Sequence, residues 1–236
     1  MSHENARILE VCMPFSILDA IDLVGTIAFV ISGAFVGISK KMDLFGVNML
    51  AIAASCCGGL IRDLIIGNVP PMMFQNPFYV CVAFLSANAV FALLLLHQHM
   101  PRKMVPVYER TLFLFDTLGL ASFTVDGVMV GVHAGYPGNI FLLVVLGFMT
   151  GVGGGVLRDV LAGQIPDIFR KHIYALASIS GALTTALLLR RTSNEFIAML
   201  SGFSLIFAVR LLAAHFRWNL PKISDWESGD HSSQRS

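Results

Sequence analysis

The sequence predicts an all-α integral membrane protein, with seven transmembrane helices arranged as two inverted three-helix repeats plus a C-terminal helix. Three observations lead there: a composition too apolar for a water-soluble particle, seven apolar runs of bilayer length, and one motif that recurs at the same place in each half. Hydrophobic residues are 56% of the 236 and charged residues only 13%, against about a quarter charged in a soluble domain. Lipid must therefore solvate much of the surface. A net charge of +1 gives no general attraction to nucleic acid, so no nucleic-acid partner is expected.

Residues 1–15 are polar and carry acids. They lack the basic start and small-residue cleavage site of a secretory signal, so the first apolar run is expected to remain as a membrane helix. Runs of about 20 apolar residues lie near 16–38, 44–67, 78–97, 111–132, 139–163, 172–190 and 195–214. Short breaker segments such as SKKMD, GNVPP, AGYPGN and AGQIPD separate them. The first repeat spans 16–97, a linker 98–110, the second repeat 111–190 and the seventh helix 195–214. The polar tail, 215–236, is expected to be disordered. With the N-terminus outside, Lys40, Lys41, Arg102, Lys103, Arg110, Arg158, Arg170, Lys171, Arg217 and Lys222 fall inside, and only Arg7, Arg62, Arg190 and Arg191 fall outside. That division follows the positive-inside rule. It predicts a multi-pass protein of the cell inner membrane with its N-terminus outside and its C-terminus cytoplasmic.

The repeat is legible residue by residue. Asp22-Leu-Val-Gly25 matches Asp116-Thr-Leu-Gly119, Ser32-Gly33 matches Asp126-Gly127, and Gly37 matches Gly131. After two residues of slippage, GGLIRDLIIGNVP at 58–70 matches GGVLRDVLAGQIP at 154–166. Three helices are an odd number, so the second copy enters from the opposite face and the halves are related by a pseudo-two-fold axis in the membrane plane.

Helices two and five carry the GG-x-x-RD motifs. Gly58, Gly59, Gly153, Gly154 and Gly155 permit either a close helix crossing or a kink whose freed carbonyls line a cation path. Arg62, Asp63, Arg158 and Asp159 follow these glycines toward the helix ends, where snorkelling would reduce the cost of the charge. They read either as structural ion pairs, one repeat's arginine with the other's aspartate, or as the charges that set the field at two pore mouths. Asp126 lies deepest in an apolar run, opposite neutral Ser32 in the repeat. It is expected to attract a cation, carry a proton or accept a hydrogen bond within the bundle. Asp22 and Asp116 are read as opening helices one and four, where capping and ion binding both suit a carboxylate, and Asp19 shares a face with Asp22. Cys12, Cys56, Cys57 and Cys81 have neither zinc nor disulfide spacing, and the scattered histidines show no ligand pattern, so no metal or other cofactor is expected. No P-loop, G-x-S-x-G or HExxH is present, and no enzymatic activity is expected.

At GGLIRD and GGVLRD, within two three-helix repeats and a seventh helix, the sequence resembles the bacterial branch of the trimeric intracellular cation (TRIC) channel family, also described as a glycine-transporter family. The resemblance covers roughly residues 16–214. It implies a homotrimer in the lipid bilayer with a separate pore in each protomer, permeation of monovalent cations, chiefly K⁺ with Na⁺, and kinks at Gly58, Gly59, Gly153, Gly154 and Gly155. The animal members bear a lysine-containing motif that contacts inositol lipids, and this sequence has GG-x-x-RD there instead.

The leading reading is a passive cation channel whose path runs past glycine backbone, Ser32 and Asp126, with a hydrophobic constriction at Phe29 or Phe123. A secondary transporter of a small neutral solute such as glycine would use the same architecture, and a scaffold would use the glycines for packing alone.

Overall fold

The computed structural model describes residues 16–96, 105–170, 173–192 and 194–216. The predicted tail, the N-terminal segment and part of the linker lie outside them. Among the described residues there are seven long helices: α1 (Ile17–Ser39), α2 (Leu44–Ile66), α3 (Phe78–Leu96), α4 (Val105–His133), α5 (Ile140–Leu161), α6 (Ile173–Arg191) and α7 (Glu195–His215). Each contains a stretch long and apolar enough to cross a membrane. Helical turns at Met72–Gln75 and Asp167–Arg170 follow α2 and α5 at matching places in the repeat.

Local chemistry sets the ends. Ser16 caps α1, accepting from the Asp19 amide at 3.1 Å while the Asp19 carboxylate accepts from the Ser16 amide at 2.9 Å, a complete capping box. Asp43, Asn139 and Asn194 cap α2, α5 and α7 through their side-chain oxygens. The capping role expected of Asp22 and Asp116 is therefore wrong. Ser16 fills it in α1, and α4 begins at Val105, inside the expected linker, which leaves Asp116 in the helix interior. Pro106 stands in the first turn of α4, where a missing N–H breaks no helical bond.

The two repeats pack alike. α1 lies on α2 and α3 as α4 lies on α5 and α6, while α1 against α4 and α2 against α5 form the contacts across the pseudo-two-fold. α7 packs on α6 and α4 and has no counterpart on α3. At the centre, α2 and α5 run through their glycines as continuous α-helix. A Cβ on Gly58 would overlap the Thr150 carbonyl, and one on Gly154 would overlap the Ala54 carbonyl. Thr150 and Ala54 each lie four residues before the glycine of the other contact, so the crossing obeys the repeat symmetry. The glycines serve close approach of two backbones, the first of the two readings that the sequence allowed.

Gly154→Ala is expected to lower stability by about 1–3 kcal/mol through overpacking. Gly138→Ala, where nothing lies within 4 Å of the added carbon, should shift it by less than about 0.5 kcal/mol. Thermal unfolding in detergent compares them, and equal melting temperatures would contradict the crossing.

Candidate functional site

The polar core consists of two buried charge networks, one around each motif arginine. In the first, the Arg62 Nε donates to Asp63 Oδ1 at 2.9 Å and Nη1 donates to Asp126 Oδ2 at 2.5 Å. Asp63 also accepts the Met72 amide at 2.8 Å, which ties the turn after α2 to the network. The guanidinium folds back over Gly59, within ordinary contact distance of where a Cβ would stand. Asp22 and Tyr79 stand alongside and line the same cavity. A cavity of about 60 Å³ opens here, walled by Asp22, Arg62, Asp63, Asp126, Tyr79 and Phe123 among others. It is large enough for a water or two, or for a partly hydrated cation.

The second network repeats the plan with changes. Arg158 Nε donates to Asp159 Oδ1 at 2.9 Å, and Nη1 donates to Asp116 Oδ1 at 2.9 Å and to Ser32 Oγ at 2.5 Å. Asp159 accepts the Asp167 amide at 3.0 Å, as Asp63 accepts that of Met72. Arg210, from α7, donates to the other oxygen of Asp116 at 3.0 Å. A cavity of about 340 Å³ lies beside it, walled by Glu109, Leu112, Phe113, Asp116, Arg158, Asp167 and Arg210.

Asp116 and Asp126 are ten residues apart on α4, which places the two networks about 15 Å apart along the helix. Phe123 lies between them on α4, and Phe29 between Asp22 and Ser32 on α1. Their ring centroids are 5.3 Å apart, and with Ala54 they form one buried cluster. Each ring fills the space left by a glycine of the other repeat: a Cβ at Gly25 would meet Phe123 at 2.8 Å, and one at Gly119 would meet Phe29 at 2.7 Å. Two tilted aromatic rings, one from each repeat, thus lie between the two polar networks.

The site residues that the sequence singled out divide between the two networks and the glycine crossing, and the structure corrects three readings of them. The motif charges do not snorkel: Arg62 and Arg158 are 8% and 3% exposed, because aspartates neutralise them inside the bundle. Pairing across the repeats does occur, but with Asp126 and Ser32 rather than between the two motif aspartates, each of which holds its own neighbouring arginine. Asp22 and Asp116 are members of the networks and not caps. Sequence reasoning missed Arg210, Tyr79 and Tyr174. Arg210 was detectable as the one charge well inside the apolar run of the seventh helix, since an intramembrane ionisable residue marks a functional site by default. The tyrosines gave no signal without the fold.

Inverted three-helix repeats around a charged interior, with a cavity at either end, define a multi-pass membrane protein of the class that handles small solutes or ions. A family model described as Glycine transporter matches residues 19–94 and 113–190, one stretch in each repeat. The UPF0126 membrane protein of Deinococcus radiodurans is 34% identical over 205 residues, covering 85% of this chain and 89% of its own length. The UPF0126 inner membrane protein YadS of Escherichia coli is 33% identical over 210 residues, covering 89% and 97%. The TRIC trimeric intracellular cation channel orthologue from Rhodobacter sphaeroides superposes with a TM-score of 0.76 at 29% identity, over 86% of this chain and 99% of that one. A prokaryotic TRIC channel in 0.5 M KCl gives 0.77 at 27% identity, over 88% and 100%. The chain belongs to this family of UPF0126 membrane proteins and has the TRIC channel fold.

Arg62→Gln strands Asp126 in the interior and is expected to cost about 3–5 kcal/mol. Adding Asp126→Asn removes the stranded charge and should recover about half of that. Denaturant unfolding of the two single variants and the double variant measures the coupling, and simple additivity would mean the pair is not in contact.

Proposed function

We propose that this protein is a channel for monovalent cations, chiefly K⁺ with Na⁺, acting as a homotrimer with a path through each protomer. The observation that carries the reading is the pair of cavities at opposite ends of one polar core, each walled by a motif arginine and carboxylates, with the Phe29–Phe123 contact between them. Carboxylates in a low-dielectric mouth concentrate cations and repel anions. The path has side-chain charges instead of a ring of carbonyl-presenting loops, which fits modest discrimination between K⁺ and Na⁺. The aromatic pair is a hydrophobic constriction of the kind that gates by dewetting. Small shifts of α1 against α4 would part the rings, since each rests on a glycine of the opposite helix.

The names of the solved relatives, TRIC cation channels, support the activity, and the word trimeric in one of them supports self-association. The division of basic residues supports an inner-membrane orientation with the N-terminus outside, which turns the first cavity outward and the second to the cytoplasm. The bilayer lipid and the permeant cation are then the expected partners.

Purified full-length protein in planar bilayers tests the proposal. Unitary K⁺ currents far above transporter turnover are expected. Saturable glycine uptake into proteoliposomes without unitary current would replace the channel by a solute transporter. Asp126→Asn should lower K⁺ conductance about two-fold in 0.1 M KCl, where fixed charge is weakly screened, and Phe123→Ala should raise the open fraction. A Phe123→Ala channel with unaltered opening would remove the rings from the path.

A further inference from the structure

Two features break the symmetry of the polar core. One is the exchange of Ser32 for Asp126. The other is Arg210, whose helix has no counterpart in the first repeat. Arg210 is 4% exposed and lines the second cavity. Its Nη2 donates to Asp116 at 3.0 Å, and its Nε donates to Thr117 Oγ1 at 3.1 Å. The guanidinium lies 4.4 Å from the ring centroid of Tyr174 and 5.0 Å from that of Phe113.

The first half shows what this cation displaces. Asp22 is the repeat mate of Asp116. Tyr79 is the mate of Tyr174: each follows by seven residues the residue whose amide bonds the motif aspartate. In the first half Tyr79 stands beside Asp22 in the cavity wall, and among the described residues no arginine or lysine forms an ion pair with Asp22. In the second half Arg210 takes the Asp116 oxygen and stacks on Tyr174, whose buried hydroxyl has no hydrogen-bond partner among the described residues. Around the first cavity, buried Arg62 stands against buried Asp63 and Asp126, and Asp22 is half-buried as Asp167 is at the second. Around the second, Arg158 and Arg210 balance Asp116 and Asp159. Glu109 is exposed and Asp167 half-buried at the rim of the second cavity, where solvent screens them.

We propose that Arg210 is a resident cation that sets the sidedness of permeation, discharging the second cavity so that the first is the mouth that gathers monovalent cations. The inference rests on the channel reading above. Cation current drawn in through the first mouth then exceeds current drawn in through the second at equal and opposite voltage. Because the cause is fixed charge, the imbalance fades with salt as the Debye length falls from about 10 Å at 0.1 M to about 3 Å at 1 M.

Single channels of the full-length protein, recorded in symmetric KCl at these two concentrations, test it. The wild type should give a current ratio of about 1.5–2 at 0.1 M and about 1 at 1 M. Arg210→Lys, which keeps the charge, should keep the ratio. Arg210→Gln should raise the smaller current about two-fold and bring the ratio to about 1. Linear wild-type currents at low salt, an unchanged ratio in Arg210→Gln, or loss of the ratio in Arg210→Lys would each overturn the role of Arg210. If Arg210→Gln does not fold, Asp126→Asn takes its place: it removes a buried, ion-paired carboxylate from the first cavity and must shrink the larger current, and no change there overturns the inference. Complete absence of unitary current in the wild type removes the channel reading itself, a result distinct from linear current.

Discussion

A guanidinium in a low-dielectric interior must be neutralised where it lies, and that requirement governs how the two repeats meet. An unpaired arginine at the bilayer centre costs at least about 2.5–3.5 kcal/mol on insertion scales. Arg62 reaches across the pseudo-two-fold to Asp126, and Arg158 reaches across it to Ser32. Arg62 finds a carboxylate in each repeat, Asp63 and Asp126, while Arg158 takes Asp116 and Asp159 from its own repeat and Ser32 from the other, so both motifs are tied across the contacts of α2 with α5 and α1 with α4. The glycines follow from the same requirement. Backbones at Gly58 and Gly154 approach to contact, which brings helices carrying short side chains close enough for the arginines to span the interface.

The motif aspartates do two jobs at once. Each holds the neighbouring arginine and also the first amide of the turn that follows the helix, Met72 in one half and Asp167 in the other. The mouth of each cavity is therefore anchored to the charge that lines it. Between the mouths, the polar character stops at Phe29 and Phe123, each seated on a glycine of the opposite helix. In the proposed channel the energetic problem is thus divided: fixed charge draws cations in at the ends, and a short apolar barrier in the middle decides whether they pass.

Symmetry is the frame, and departures from it carry direction. A perfect inverted repeat would present the same field to both faces. Asp126 in place of a serine and Arg210 on an added helix give the two cavities different buried charged groups. The seventh helix thus contributes a charge as well as packing surface.

Much of this was legible in the linear chain. Apolar run length gave six of the seven helices to within two residues, because a bilayer sets the length of a crossing element, and missed only the first turns of α4, which begin six residues earlier at Val105. The doubled Asp-x-x-Gly and GG-x-x-RD patterns gave the inversion, because an odd number of crossings leaves no other topology. What stayed hidden was partner choice. No spacing rule says that Arg62 would take Asp126 and leave Asp159 to Arg158, or that Asp116 would sit eleven residues inside its helix between two arginines. Such pairings link residues 42 to 126 positions apart, and only the packing of whole helices brings them within 3 Å. Periodicity along one chain segment determines which element forms and which face is apolar; the identity of the neutralising charge is decided by which elements become neighbours.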